Sequence, residues 1–368
     1  MSQIKDFVKR EATLCVAFLA AAVTCFIVPP DAGYLDYLDL RTLSLLYCLM
    51  VVVAGLRHAG VFTRLAHYLC LRAGTVRAMG LVLVALSFFG AMLITNDVAL
   101  LTFVPFAVVV LGMAHQEKQL IWVVVLQTLA ANLGSVLTPV GNPQNLYLYS
   151  RYDMSMAEFF SATLPLWLMS LALVFALCLV LPRRKLDVFL GEQPLMNKRG
   201  LILYAALFLL CLAVVVRLLS WRLMLSLLLL TLLIADRKRL LQADFMLLLS
   251  FVCFFIFAGN LSRMQPVEEA LRTLLMGREL LVGALASQVI SNVPAALLLS
   301  SFTENGRALL LGVNIGGLGT PVASLASLIS LKFYSHSESA NTAAYMRLFL
   351  LLNLGLLLLF IIVFSLAV

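Results

Sequence analysis

Two short polar runs interrupt long apolar stretches: Thr95-Asn96-Asp97 lies within 80–113, and Ser291-Asn292-Val293 within 281–302. A carboxylate at membrane depth binds a cation or carries a proton, and an ionisable group placed there is a functional hypothesis by default. Asn, Ser and Thr beside it add neutral donors and acceptors without the full cost of a buried charge. Asp97 has Val293 as its counterpart, so the two runs share a shape but not a charge. A second pair of polar runs follows. Asn132, Gly134, Thr138, Gly141, Asn142 and Asn145 punctuate 119–149, and Asn314, Gly316 and Thr320 punctuate 308–332. With Pro139, Pro143 and Pro321 among them, an unbroken helix is not expected in either stretch.

These spacings recur in order. Ile94-Thr95-Asn96-Asp97 pairs with Ile290-Ser291-Asn292-Val293. Asn132-Leu133-Gly134 followed by Thr138-Pro139-Val140 pairs with Asn314-Ile315-Gly316 followed by Thr320-Pro321-Val322. Self-similarity at two separate motifs is the mark of an internal repeat. We expect 41–181 and 243–368 to be the repeats, with 1–40 as an amino-terminal span and outer loop and 182–242 as linker and connecting helices. In each repeat a re-entrant hairpin (80–113, 281–302) carries an Asn at its tip, and a broken helix (119–149, 308–332) has an unwound joint. Irregular backbone at membrane depth is tolerated only where protein or a wet cavity satisfies it, so tips and joints should meet. Helix ends meeting there would present amide N–H groups to an anion and carbonyls to a cation.

The elements that hold these residues follow from composition. Of the 368 residues, 63% are hydrophobic and 12% charged, against roughly a quarter charged in an ordinary soluble domain. That excludes a conventional soluble enzyme, a disordered chain and a disulfide-stapled secreted domain. Apolar runs near 12–30, 41–56, 119–149, 157–181, 200–219, 222–235, 243–260, 308–332 and 346–366 read as nine crossings. The fold class expected is an all-α polytopic membrane protein with inverted repeats, about nine transmembrane helices, two re-entrant hairpins and two broken helices. Segments 57–77 and 261–280 read as amphipathic helices in the interface. With a cytoplasmic amino terminus, 18 of the 26 Lys and Arg residues fall in inside loops, among them Lys5, Lys9 and Arg10. Val368 is then outside, and the net charge of +8 records orientation and not a nucleic-acid partner. Asp97 is the one ionisable residue expected inside either hairpin, and Arg217 and Arg222 are expected to snorkel beside a tight turn. The seven cysteines and four histidines lack metal-site or redox spacing, and no phosphate-binding loop occurs.

Thr95-Asn96-Asp97 followed by Val98 to Pro105 resembles the Asn-Asp hairpin motif of the arsenite permease and sodium:proton antiporter branch of the ion transporter superfamily. Gly141-Asn142-Pro143-Gln144-Asn145 resembles the Gly-x-Pro-x-Asn stretch of its broken helix, and Ser291 to Pro294 with Pro321 to Ala326 resemble the second-half equivalents. Divalent anion:sodium symporters are related, but their sodium-coupled dicarboxylate branch carries Ser-Asn-Thr at both tips. The departure here argues against a citrate- or succinate-type substrate. The resemblance covers about 41–366. It implies inverted repeats whose tips form the substrate and ion sites, and homodimerisation through a scaffold region.

The expected function is secondary active transport of a small inorganic or organic anion, or oxyanion-type solute, across a bacterial-type inner membrane. Alternating access would be coupled to H+ or Na+, with no other cofactor and no enzymatic reaction. A cation:proton antiporter is the alternative. The residues expected to bind substrate or ion are Thr95, Asn96, Asp97, Asn132, Gly134, Thr138, Gly141, Asn142, Asn145, Ser291, Asn292, Asn314, Gly316 and Thr320, with Na+ near Asn96, Asp97 and Asn142.

Overall fold

A computed structural model describes residues 11–185, 196–337 and 340–366. The basic residues Lys5, Lys9 and Arg10 and the terminal Val368, used above to orient the chain, lie outside the described residues. Secondary structure among those described is helical, apart from one isolated antiparallel bridge between Thr75 and Lys185. In chain order the helices are α1 (Ala12–Ile27), α2 (Leu40–His58), α3 (Val61–Cys70), α4 (Val76–Ile94), α5 (Asn96–Met113), α6 (Glu117–Gly134), α7 (Pro143–Arg151), α8 (Met156–Cys178) and α9 (Lys198–Val215). Then follow α10 (Trp221–Ala235), α11 (Phe245–Ser262), α12 (Gln265–Leu275), α13 (Glu279–Ile290), α14 (Asn292–Leu299), α15 (Gly306–Gly316), α16 (Leu325–Ser335) and α17 (Thr342–Ser365).

Eight helices among the described residues are long and apolar enough to cross a membrane: α2, α4, α5, α6, α8, α9, α11 and α17. Helices satisfy their backbone hydrogen bonds locally, as a lipid solvent demands, and at the start of α4 the Val76 and Arg77 amides donate across to Arg184 O and Pro182 O, at 3.0 and 3.1 Å. Polar caps set many of the starts. Asp39 accepts from Thr42 N at 2.9 Å before α2, and Asp244 accepts from Leu247 N at 2.9 Å before α11. Ser155 and Glu158 form a reciprocal capping box at α8.

Both tip-bearing stretches are pairs of helices, as the sequence predicts, but their first arms begin earlier than expected. Thr75 caps α4 through Ala78 N, so the arm starts at Val76 and includes Arg77, whose Nε donates to the Leu181 carbonyl at 2.7 Å. At 19 residues this arm is ~28 Å long, nearly the thickness of the hydrocarbon core. The second hairpin's first arm starts at Glu279, so Asp97 is not the only acid on a hairpin. Glu279 is buried and accepts from Thr303 Oγ1 at 3.1 Å, tying the base of the hairpin together. The expected spans at 12–30 and 222–235 form helices of 16 and 15 residues. The first stops at Val28, because the prolines that follow have no N–H to continue it. Arg217 does not snorkel. Its guanidinium is 2.7 Å from the Asp153 carboxylate, donates to Met154 O at 2.9 Å and lies over the Tyr149 ring.

Packing repeats along the chain. Within each half the first hairpin arm lies along the first segment of the broken helix, α4 on α6 and α13 on α15. The return arms cross over. The first hairpin's α5 packs on α16 of the second broken helix, and the second hairpin's α14 packs on α7 of the first. Helix α12 bends by 113° into α13, which sets it across the direction of the hairpin.

Candidate functional site

The two tips share one backbone. Thr95 has φ 70° and ψ 152°, and Ser291 has φ 71° and ψ 155°. This region belongs almost wholly to glycine, and holding another residue in it costs on the order of 1–3 kcal/mol, which the surroundings must supply. The return helix starts at the next residue in both cases. Asn96 Oδ1 accepts from Asp97 N, and Asn292 Oδ1 from Val293 N, both at 2.9 Å, so each Asn uses its carbonyl oxygen to cap its own helix.

The two joints are likewise built to one plan. Helix α6 ends at Gly134, and two short 3-10 turns, Ser135–Leu137 and Pro139–Gly141, lead to α7 with Pro143 at its first position. Helix α15 ends at Gly316, and a 3-10 turn, Pro321–Ala323, leads to α16. Proline at the start of a helix loses nothing, because its amide would be unpaired there. Thr138 Oγ1 donates to Met92 O at 2.6 Å, and Thr320 Oγ1 to Gln288 O at 3.3 Å. Both accepting carbonyls stand four positions before the tip Asn. Gly134 lets α6 touch α4, since a Cβ there would sit 2.1 Å from the Phe88 carbonyl oxygen. Gly316 does the same against α13, where a Cβ would meet Ser287 Oγ at 2.6 Å.

Bonds between the halves join tips and joints into one buried network. Asn96 Nδ2 donates to Asn132 Oδ1 at 3.0 Å, and Ser324 Oγ donates to the same oxygen at 3.0 Å. Asn132 Nδ2 reaches Gly317 O and Ser327 Oγ, both at 3.4 Å, and Asn314 Nδ2 donates to Asn145 Oδ1 at 2.7 Å. Asn96, Asn132, Asn145 and Asn314 are all buried.

Beside this network a cavity of about 120 Å³ opens against Thr95, Asp97, Asn142, Pro143 and Asp244, with apolar walls from α2. Asp97 is half-buried, and its carboxylate has no hydrogen-bond or ion-pair partner among the described residues. Asn142 is 3% exposed; its Nδ2 donates to Ser135 Oγ at 2.5 Å, while its Oδ1 is buried without a partner. A free carboxylate, an unpaired amide oxygen and the Thr95 hydroxyl are hard oxygen donors suited to Na+ or to a bound proton. The first turns of α5 and α7, at Asp97 and Pro143, also border the cavity, so their amide ends bring a partial positive charge to it.

Of the residues expected to bind, Thr95, Asp97 and Asn142 line this cavity. Asn96 and Asn132 are consumed by the network, and Asn145 Nδ2 is spent on the joint carbonyls of Ser135, Val136 and Thr138. Gly134 and Gly141 act through close backbone approach. Ser291, Asn292, Asn314, Gly316 and Thr320 belong to the second tip and joint. Sequence reasoning missed Asp244, which caps α11, and Gln288 and Gln127, each a single polar residue in an apolar run. Gln127 Nε2 donates to Leu83 O, Ser87 Oγ and Phe103 O, and so clamps both arms of the first hairpin.

Comparison with known proteins places these features in a group. A family model described as "Citrate transporter" matches residues 7–305. An uncharacterized transporter of Methanocaldococcus jannaschii is 32% identical over 296 residues, covering 79% of this chain and 80% of that one. An inner membrane protein of Escherichia coli is 30% identical over 307 residues, 80% of each chain. A silicon efflux transporter of Oryza sativa subsp. japonica is 29% identical over 161 residues, covering 44% of this chain and 33% of that one.

Proposed function

The chain belongs to the citrate transporter family and is a membrane transporter rather than an enzyme, and we propose that it moves an anionic or oxyanion-type solute by alternating access, coupled to H+ or Na+ at Asp97. The observation that carries this reading is that Asp97, with an unpartnered carboxylate, and Asn142, with an unpartnered amide oxygen, line one cavity at the first tip. A charge left unpaired in such a place is costly unless a ligand completes it. The ends of α5 and α7 supply the opposite polarity, so one cavity can receive an ion and an anion together. The crossed packing of return arms supports two inverted halves that exchange roles about a fixed site.

The family's description concerns citrate and the rice relative's name concerns silicon, a carboxylate and an oxyacid former. Thr95-Asn96-Asp97 and Ser291-Asn292-Val293 at the tips favour the oxyanion end of that range. We place the protein in a bacterial-type inner membrane with its amino terminus inside, as a homodimer. Arg57, His58 and Arg239 gather around a cavity of about 660 Å³ at the α2 end assigned to the cytoplasm, which supports that orientation.

A second reading, cation:proton antiport, is favoured by Asp244, which puts a second acid in the lining of the cavity that Asp97 borders. Proteoliposomes separate the two. Uptake of citrate, arsenite or silicate driven by an imposed Na+ or H+ gradient supports the anion reading, whereas Na+ flux against H+ without any added anion supports the antiporter. In either case Asp97→Asn should lower gradient-driven flux at least about tenfold while leaving membrane insertion intact. Full gradient-driven transport by that variant overturns the role of Asp97.

A further inference from the structure

Gln288 occupies the position in the second hairpin that Met92 holds in the first, four residues before the tip Asn. Its Nε2 donates to Gly316 O at 2.8 Å, Leu318 O at 3.0 Å and its own helix at Ala284 O at 3.0 Å, and its Oε1 accepts from Thr320 N at 3.0 Å. One carboxamide therefore satisfies two carbonyls and an amide of the unwound joint. Space is reserved for it: Gly319 has φ 98°, and a Cβ there would lie 2.2 Å from Gln288 Oε1. In the first half Met92 offers only its backbone carbonyl, to Thr138.

Two further hydroxyls of the second tip and joint are also engaged. Ser291 Oγ donates to Ala323 O at 3.3 Å, and Ser324, which stands where Asn142 stands in the first half, donates to Asn132. Asn314 Oδ1 is buried and unpaired among the described residues, but it is a neutral oxygen, and the acid of the first half is replaced at the second tip by Val293. Carbonyl oxygens already bonded to an amide, with no carboxylate beside them, are poor ligands for a cation, because binding would first have to break those bonds.

We infer that Gln288 closes the second joint, so that the protein carries one coupling-ion site, at Asp97, and not one in each half. Gln288 is a positioning residue. The inference rests on Asp97 being the coupling site, and deepens that reading by setting its stoichiometry.

Equilibrium binding of Na+, and in parallel of H+ by pH-stat, to the purified full chain tests it. Wild type should bind one equivalent of the coupling ion with a Hill coefficient near one, and Asp97→Asn should bind none. Gln288→Met should retain one equivalent with affinity within about twofold, at a lower melting temperature. Gln288→Glu, which sets a carboxylate against the Gly316 and Leu318 carbonyls, should add a second equivalent that survives Asp97→Asn. Two equivalents in wild type, the second surviving Asp97→Asn, overturn the single site while leaving Asp97 as a coupling residue. Absence of any ion binding in wild type overturns both.

Discussion

At the first joint the carbonyls of Ser135, Val136 and Thr138 are held by Asn145, a residue of the half-helix that follows. At the second, the carbonyls of Gly316 and Leu318 are held by Gln288, a residue of the hairpin that precedes. The backbone solution is the same, down to φ values of 70° and 71° at the tips, but the side chains that stabilise it come from opposite directions. A joint closed by its own half-helix leaves the hairpin tip free to present Thr95 and Asp97 to a cavity. A joint closed by the hairpin spends the hairpin on structure. Two repeats can thus share one backbone plan while differing in which polar groups remain unbonded.

The largest expected contrast lies at the two glycines. Gly134→Ala would drive a Cβ against the Phe88 carbonyl, a backbone atom that cannot rotate away, and should cost about 3 kcal/mol or more. Gly316→Ala meets Ser287 Oγ at 2.6 Å and the Ala284 Cα at 2.9 Å, a less severe approach than 2.1 Å, and should cost about 2 kcal/mol. Folded yield and melting temperature in detergent check this, and equal losses would remove the distinction between the joints.

Next come the joint threonines. Thr138→Val breaks the sole side-chain bond from Thr138 to its hairpin and should destabilise by about 1.5 kcal/mol, whereas Thr320→Val leaves the Thr320 amide on Gln288 and should cost about 0.5 kcal/mol. In the double variant Thr320→Val/Gln288→Met the combined loss should exceed the sum of the two single losses, since both groups hold one joint.

Strain at the tips separates the halves more weakly. Thr95→Gly relieves a positive φ without removing a side-chain hydrogen bond, and should raise stability by up to about 1 kcal/mol. Ser291→Gly relieves the same strain but loses the bond to Ala323, so its melting temperature should hardly move. A rise in both would show that Ser291 contributes nothing beyond its backbone.

The smallest effect is away from both joints. Arg263 grips Asp31 through two bonds, at 3.1 and 2.7 Å, and holds its carboxyl below the usual carboxylate range. A depressed carboxyl contributes stability above the unfolded-state value, about 4, and loses it as pH falls through the lower folded value. The melting-temperature difference between wild type and Asp31→Asn should therefore be present at pH 7 and vanish in strong acid; a difference that grows on acidification would contradict the pairing.

Much of this was legible before any coordinates. Asn tips and Gly- and Pro-broken helices follow from local rules, because a proline without an N–H or a glycine at a helix end acts on its own neighbours. The start of each hairpin was placed too late. Arg77 and Glu279 read as the ends of the interfacial helices 57–77 and 261–280 until Leu181 O and Thr303 Oγ1 are seen to satisfy them. Asp244 caps α11, and nothing in its own segment shows that it lines one cavity with Asp97.

Composition and repeated spacing alone determined that lipid is the solvent, that the chain is helical, and that two equivalent tips meet two equivalent breaks, since hydropathy and backbone breakers act over a few residues. Only the tertiary structure decided which polar groups are spent and which remain free. Asn96, Asn132, Asn145 and Gln288 are consumed by partners up to 195 residues away, and the Asp97 carboxylate and Asn142 Oδ1 are left open. Whether a polar atom can bind a ligand depends on what already bonds it, and that is a property of contacts between distant segments.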